Sequence, residues 1–203
     1  MSQFKAVLWD FGGVIFTSPF ESFNLYERAN GLPVDFIRGL NATNPDTNAW
    51  AQFERRELSV PDFVSAFEAE AQRAGHAVDA VAVLGALKGQ VRPEMLAAVD
   101  AIKNAGLMNA GVTNNFAPMD ALDWLAKFDV VIESSKVGVR KPDPNFYEIA
   151  CETLGVSAAD CVFLDDLGVN LKPAKAMGMT TIKVVDPEAA LAELSAALEL
   201  DLS

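Results

Sequence analysis

The sequence has a single histidine, His76, and only two cysteines, Cys151 and Cys161, in 203 residues. One imidazole, placed in "RAGHAV" at a helix end or loop, nearly excludes histidine-based zinc sites and Ser-His-Asp triads. Two cysteines make no disulfide framework and suit a reducing cytoplasm. Basic residues are also scarce: 16 Lys and Arg stand against 28 Asp and Glu, a net charge of −12. A nucleic-acid binder needs basic patches to displace counterions, so that class is excluded. An anionic substrate would need a local cation to receive it. No apolar run approaches the length of a membrane span. The start, "MSQFKAVLWD", lacks the charged region and cleavage site of a signal peptide. These absences predict a cytoplasmic location, with neither a nucleic-acid nor a membrane partner.

Apolar residues, by contrast, make up 51 % of the chain, enough for a large core. The length suits one domain with an inserted unit. Four short apolar runs, "KAVLW", "MNAGV", "CVFL" and "TTIKVV", read as buried parallel strands, and "FDVVI" is a shorter candidate. Continuous apolarity, not alternation, is what a sheet covered on both faces requires. Helices with readable ends lie between them. Pro93 starts one, with a stripe of Met95, Leu96, Val99 and Ile102, and Gly106 stops it. Asp143–Pro144 starts another that ends at Gly155, and Asp186–Pro187 starts the last. This alternation predicts an α/β fold with a doubly wound, mostly parallel sheet.

Residues 17–91 break the rhythm, with no convincing strand. Ser18, Pro19 and Glu21 form a capping-box start, Ser59 and Pro61 open a second helix, and "NATNPDTN" (41–48) reads as a polar loop. The expected organisation is a core of residues 1–16 and 92–203 carrying a small helical cap of residues 17–91. Its phenylalanine-rich helices could pack internally or against a second copy, so monomer and homodimer both stay open. Phe16, Phe20, Phe23, Tyr26, Trp50, Phe53 and Arg55 could line a cleft. Core packing is the default for the aromatics, and a solvated surface for Arg55.

Ligand sites in open α/β sheets lie beyond the carboxyl ends of the strands. Asp10 follows "AVLW"; Thr113, Asn114 and Asn115 follow "NAGV"; Asp165 and Asp166 follow "CVFL". Any one of these alone reads equally well as a turn or a helix cap. Convergence on one rim is a stronger pattern. If the two acidic strands are neighbours, like charges ~4 Å apart repel by about 4 kcal/mol at an effective dielectric of 20. Mg²⁺, a hard cation that needs few carboxylates, would neutralise them, helped by Arg140 or Lys141 in "VGVRKPDP". A carboxylate nucleophile, Mg²⁺, a lysine and hydroxyl or amide donors make a phosphoryl-transfer set.

The same segments carry a family likeness. "WDFGGV", "GVTNN", "KVGVRKPDP" and "FLDDLGVN" resemble, in order and spacing, the four motifs of the haloacid dehalogenase-like hydrolases, and the insert resembles their small helical cap. Within that superfamily the chain is similar to a subgroup containing α-glucose-1-phosphate phosphatases and the phosphatase-like domains of epoxide hydrolase and acyl-CoA dehydrogenase fusions. The resemblance implies a Mg²⁺-dependent phosphatase acting on a small phosphorylated metabolite. It makes Asp10 the nucleophile and a metal ligand, with the Gly12 carbonyl, Asp166 and Asp165 (directly or through water) completing the protein ligands. Thr113 and the Asn114 amide would hold the phosphoryl group, Lys141 would pair with Asp10, and Asn170 would orient the acidic loop. Asn115 and Arg140 are further candidates for substrate binding.

One position departs from the family pattern. Most phosphatases of this superfamily carry an Asp general acid where this chain has Gly12. General acid catalysis is worth about 10²–10⁴-fold. Its loss favours leaving groups that depart without help, such as anomeric and acyl phosphates. Two rival readings follow. A metal-independent 2-haloacid dehalogenase also lacks an acid there, but the Asp165–Asp166 pair argues against it. A phosphate-binding protein with weak or no turnover is the other.

Overall fold

A computed structural model of the chain describes residues 3–87, 89–117, 119 and 122–202. Five strands form one parallel sheet: β1 (Ala6–Trp9), β2 (Met108–Thr113), β3 (Val130–Glu133), β4 (Cys161–Asp165) and β5 (Thr180–Lys183). Their spatial order is β3-β2-β1-β4-β5. All five apolar runs of the sequence are therefore strands. β1 lies at the centre, with Trp9 paired to Gly111 on one side and Leu164 on the other. That register sets the polar residues that end β1, β2 and β4 side by side.

Ten α-helices lie among the described residues. Five belong to the segment after β1: α1 (Pro19–Ala29), α2 (Phe36–Ala42), α3 (Ala49–Glu54), α4 (Val60–Arg73) and α5 (Ala80–Ala86). The others are α6 (Pro93–Asn104), α7 (Ser134–Val137), α8 (Pro144–Leu154), α9 (Gly168–Ala176) and α10 (Pro187–Leu198). Met95, Val99 and Ile102 of α6 and Leu194 and Leu198 of α10 pack on one face of the sheet. Phe146, Tyr147 and Ala150 of α8 and Leu171 and Ala174 of α9 cover the other. Both faces are covered, which is why the strands lack alternation.

The insert has its own core, built on Phe23, Ile37, Phe53, Phe63, Phe67 and Val83. The sequence shows α1 and α4 clearly because each combines a serine cap, a proline in the first turn and an apolar stripe. It hides α2, α3 and α5, of six or seven residues each, which are too short to display a period. The polar stretch 41–48 is correspondingly shorter as a loop. Asn41 and Ala42 end α2, and Asn48 caps α3 through Ala51 N at 2.8 Å while donating to the carbonyls of Asn41 and Thr43. α9 is also missed by the sequence reading, because Pro173 interrupts its pattern.

Between β1 and α1 the chain makes a single wide turn over Phe11–Ile15, closed by Phe16 N donating to Phe11 O at 2.7 Å. Its two glycines serve different ends. Gly13 has φ +79°, and a methyl group there would meet Asp166 Oδ2 at 2.3 Å. Gly12 has ordinary dihedrals, and a methyl group there would meet only Pro19, at 3.6 Å. Gly13→Ala should therefore destabilise the protein by about 2 kcal/mol or more, and Gly12→Ala should stay within about 0.5 kcal/mol of the parent. Urea denaturation of the two variants checks this; equal losses would contradict it.

Candidate active site

Asp10 enters the site as the first residue past β1. Its backbone N donates to Leu164 O at 2.9 Å, and its Oδ1 accepts from Phe11 N at 2.7 Å. The wide turn thus begins by fixing the carboxylate. Lys141 reaches the same Oδ1 at 2.8 Å and Asp165 Oδ2 at 2.8 Å. The ammonium is 1 % exposed and Asp165 fully buried. Lys141 is itself positioned by Asn114. The Asn114 side-chain amide donates to Lys141 O and accepts from Lys141 N, both at 2.9 Å.

Asp165 is saturated. Its oxygens accept from Leu167 N at 2.8 Å, from Lys141, and from Asn170 Nδ2 at 3.1 and 3.0 Å. Asn170 is held in turn by Tyr147, whose hydroxyl donates to Asn170 O at 2.7 Å. Asp166 follows, against Gly13. One oxygen each of Asp10, Asp165 and Asp166 lie within 4.8 Å of one another. Three carboxylates face one buried ammonium, a deficit of two positive charges.

The titration behaviour reflects that deficit. Burial, and then the charges of Asp165 and Asp166, hold the Asp10 carboxyl well above the usual range despite Lys141. Burial and Asp165 push Asp166 up to about 6. Burial works against the Lys141 ammonium, but Asp10 and Asp165 outweigh it and raise its pKa. A divalent cation would supply the missing charge and would fit this all-oxygen donor set.

The other sequence candidates divide. Thr113 is buried at the end of β2, and its hydroxyl makes a long 3.4 Å contact to Asn114 O. Gly12 lies half-buried in the turn. Asn115 and Arg140 do not join the carboxylates. The Asn115 side chain bonds Ala117 O, Glu133 and Ser135 N, bracing the end of β3. Arg140 faces the insert, with Nε 2.7 Å from Glu54 Oε2 and Nη1 donating to Pro45 O at 2.9 Å.

The proposed cleft residues serve mainly packing. Phe23 and Phe53 are buried, Tyr26 bonds the backbone of Asp79, Trp50 donates to Glu54, and Phe16 packs on Phe11 and Trp124. Phe20 packs on Phe23 and carries the guanidinium of Arg38. Arg55 is not a solvated side chain: it pairs with Glu57 at 2.7 Å, bonds Asp46 O and is largely covered. Three residues near the site escape the sequence reading. Arg92 donates to the carbonyls of Gly13 and Val14 and so ties down the turn after Asp10. Glu54 joins Arg140, Trp50 and, through its carbonyl, Ser134. Arg38 of α2 lies close enough for its charge to reach Asp166. Arg92 precedes a helix-starting proline and reads locally as part of that helix start. Glu54 and Arg38 sit on helices too short to recognise.

A sheet that presents a carboxylate-lysine-carboxylate constellation at its central strand ends, under a helical insert, defines a hydrolase of the α/β class. Its family is equally plain. Residues 4–178 match the haloacid dehalogenase-like hydrolase family, and the chain belongs to it. It is 33 % identical over 209 residues to mouse acyl-CoA dehydrogenase family member 10, covering 98 % of this chain and 20 % of that protein. The chain thus spans only about a fifth of that relative's length. It is 28 % identical to the sesquiterpene phosphatase astK of Aspergillus oryzae, covering 95 % and 96 % of the two chains. A solved HAD-like hydrolase from Porphyromonas gingivalis superposes with a TM-score of 0.72 at 18 % identity, covering 98 % of this chain and all of that one.

A divalent cation held by Asp166 would compete with protons there. Mg²⁺ affinity should therefore fall by about tenfold or more from pH 7 to pH 5. The sign reverses for metal-free stability. A carboxyl with a raised folded pKa contributes most at low pH, and that contribution is lost as pH rises through about 6. Calorimetric titration with Mg²⁺ across this range checks the first statement; a pH-independent affinity would contradict it.

Proposed function

We propose that this protein is a Mg²⁺-dependent phosphatase that hydrolyses a small phosphorylated metabolite through a phosphoryl group carried on Asp10. The observation that carries the reading is the convergence of Asp10, Asp165 and Asp166 at the adjacent ends of β1 and β4, with Lys141 bridging Asp10 and Asp165. Asp10, Asp166 and the Gly12 carbonyl would hold the metal. Asp165, already saturated by protein donors, favours contact through water. Mg²⁺ bound there would neutralise the carboxylates and the phosphoryl oxygens, so that a dianionic ester can enter an acidic site.

The chain's own groups supply the remaining work. Phe11 N and Lys141 hold Asp10 in one orientation, so little motion is needed before attack. An Asp10 oxygen forms a bond to phosphorus, and the bond from phosphorus to the leaving oxygen breaks. Thr113 and the backbone at Asn114 face the charge that spreads over the transferring group, with Lys141 beside them. Water then attacks phosphorus, releasing inorganic phosphate and restoring the Asp10 carboxylate. Residues 17–91 act as the cap over this rim, joined to the core by Arg140–Glu54, by Ser134 Oγ donating to Glu54 O at 2.7 Å, and by the Phe53–Phe116 stack.

Gly12 leaves the departing oxygen without a side-chain acid. Activity should therefore depend steeply on leaving-group pKa. Space beside Pro19 admits a larger residue, so Gly12→Asp should raise turnover of alkyl phosphates by about 10-fold or more and flatten that dependence. Steady-state rates on a series of alkyl and aryl phosphates check this; an unchanged slope in the variant would contradict it. Gly12 also suits a dehalogenase, since halide needs no proton. Chelator separates the two: loss of phosphatase activity in EDTA and its return with Mg²⁺ support this reading, and metal-free turnover of a 2-haloacid would overturn it.

A further inference from the structure

Two nucleophiles take no part in the proposed chemistry, and they touch each other. Cys151 lies in the last turns of α8, and Cys161 opens β4. Both are free thiols. They share the apolar layer beneath α8 with Phe146, Ala150 and Phe163, and their side chains are hydrogen-bonded to one another. β4 carries Cys161 at one end and Asp165 at the other, so the pair lies at the opposite end of the strand from the carboxylates.

The two thiols are not equivalent. Cys161 is fully buried, and its Sγ lies 3.4 Å from Ser157 O, a second acceptor for its proton. Cys151 is 8 % exposed and lines an open groove of about 370 Å³ with Glu148, Glu152, Val156 and Met177. The hydrogen bond with Cys161 favours a negative sulfur on Cys151 and lowers its pKa, against burial and the charge of Glu148. The same bond, with burial, raises the Cys161 thiol. Buried cysteines are usually inert; a groove-lining sulfur with thiolate character and a second thiol beside it is the arrangement that reacts. Glu148 and Glu152 make the groove acidic, which favours a small uncharged oxidant over an anionic one.

We propose that Cys151 is an oxidation site for a hydroperoxide and that Cys161 resolves it to a reversible disulfide joining α8 to β4. The Cys151 thiolate attacks one oxygen of hydrogen peroxide. The O–O bond breaks, water leaves, and Cys151 becomes a sulfenic acid. The Cys161 sulfur then attacks the Cys151 sulfur, and its proton goes to the departing hydroxide, giving a second water. The two thiols lose two electrons, and the peroxide gains them. From hydrogen-bond contact the sulfurs need only close to a bond length of about 2.0 Å. The site is separate from the phosphatase reading, and its readout needs no substrate.

Peptide mass spectrometry tests it. The reduced, folded protein is treated with hydrogen peroxide, alkylated during unfolding, and cut with a glutamate-specific protease, which separates the two cysteines at Glu152. The Cys151 and Cys161 peptides should appear joined, about 2 Da below their reduced sum, and dithiothreitol should release them. In Cys161→Ala, dimedone should capture a sulfenic acid on Cys151. In Cys151→Ala, Cys161 should be oxidised at least about tenfold more slowly than in the parent. Thermal melting of the reduced forms shows that each variant keeps the fold. Two free thiols in the treated parent, or a disulfide only between two molecules, would overturn the proposal without recourse to any variant. Undiminished oxidation of Cys161 in Cys151→Ala would overturn the order of attack, and faster reaction with glutathione disulfide would overturn the oxidant.

Discussion

Three carboxylates, on Asp10, Asp165 and Asp166, share a space in which Lys141 is the one buried ammonium among the described residues. Much of the surrounding structure answers to that imbalance. Asn114 clamps the backbone of Lys141 from the end of β2. Asn170, pinned by Tyr147, donates to both oxygens of Asp165. Phe11 N takes up one lone pair of Asp10. Leaving any buried carboxylate unsatisfied would cost several kcal/mol, so these donors are conditions of folding as well as of function. They do not remove the deficit of two charges. That remainder is the physical case for a divalent cation.

The wide turn after β1 ties this electrostatic problem to the backbone. Asp166 can approach Asp10 only because Gly13 has no side chain in its way, and Arg92 holds the turn from behind through two of its carbonyls. Gly111 gives similar room on the neighbouring strand. A methyl group there would meet the Phe11 ring at 2.4 Å, so the ring that follows the nucleophile lies directly on β2. Gly12 is under no such constraint. Its small size leaves open space toward Pro19.

The sheet and the carboxylate rim could be read from the sequence because both are signalled locally. β1, β2 and β4 are largely apolar runs, and each delivers a polar residue to the site at its end or just past it. The prolines at 93, 144 and 187 mark three helix starts to the residue. What could not be read depends on contacts far apart in the chain. Asn115 and Asn114 are adjacent in the same motif, yet one braces Glu133 and Ser135 while the other holds Lys141. Arg140 and Lys141 are likewise neighbours, and only the lysine turns toward the carboxylates, because Glu54 of the insert draws the arginine away. No local pattern distinguishes the members of either pair. The partners of Arg140 lie on a helix and a loop, α3 and the residues around Pro45, that are too short and too polar to announce their fold.

The central claim is that Asp10 carries the phosphoryl group. Rapid acid quench during turnover of an acyl phosphate with Mg²⁺, followed by peptide mass spectrometry, observes it directly. The account predicts one phosphoryl group on the peptide containing Asp10, absent in Asp10→Asn. Turnover without a phosphorylated Asp10 peptide, or with the phosphoryl group on another residue, would contradict it.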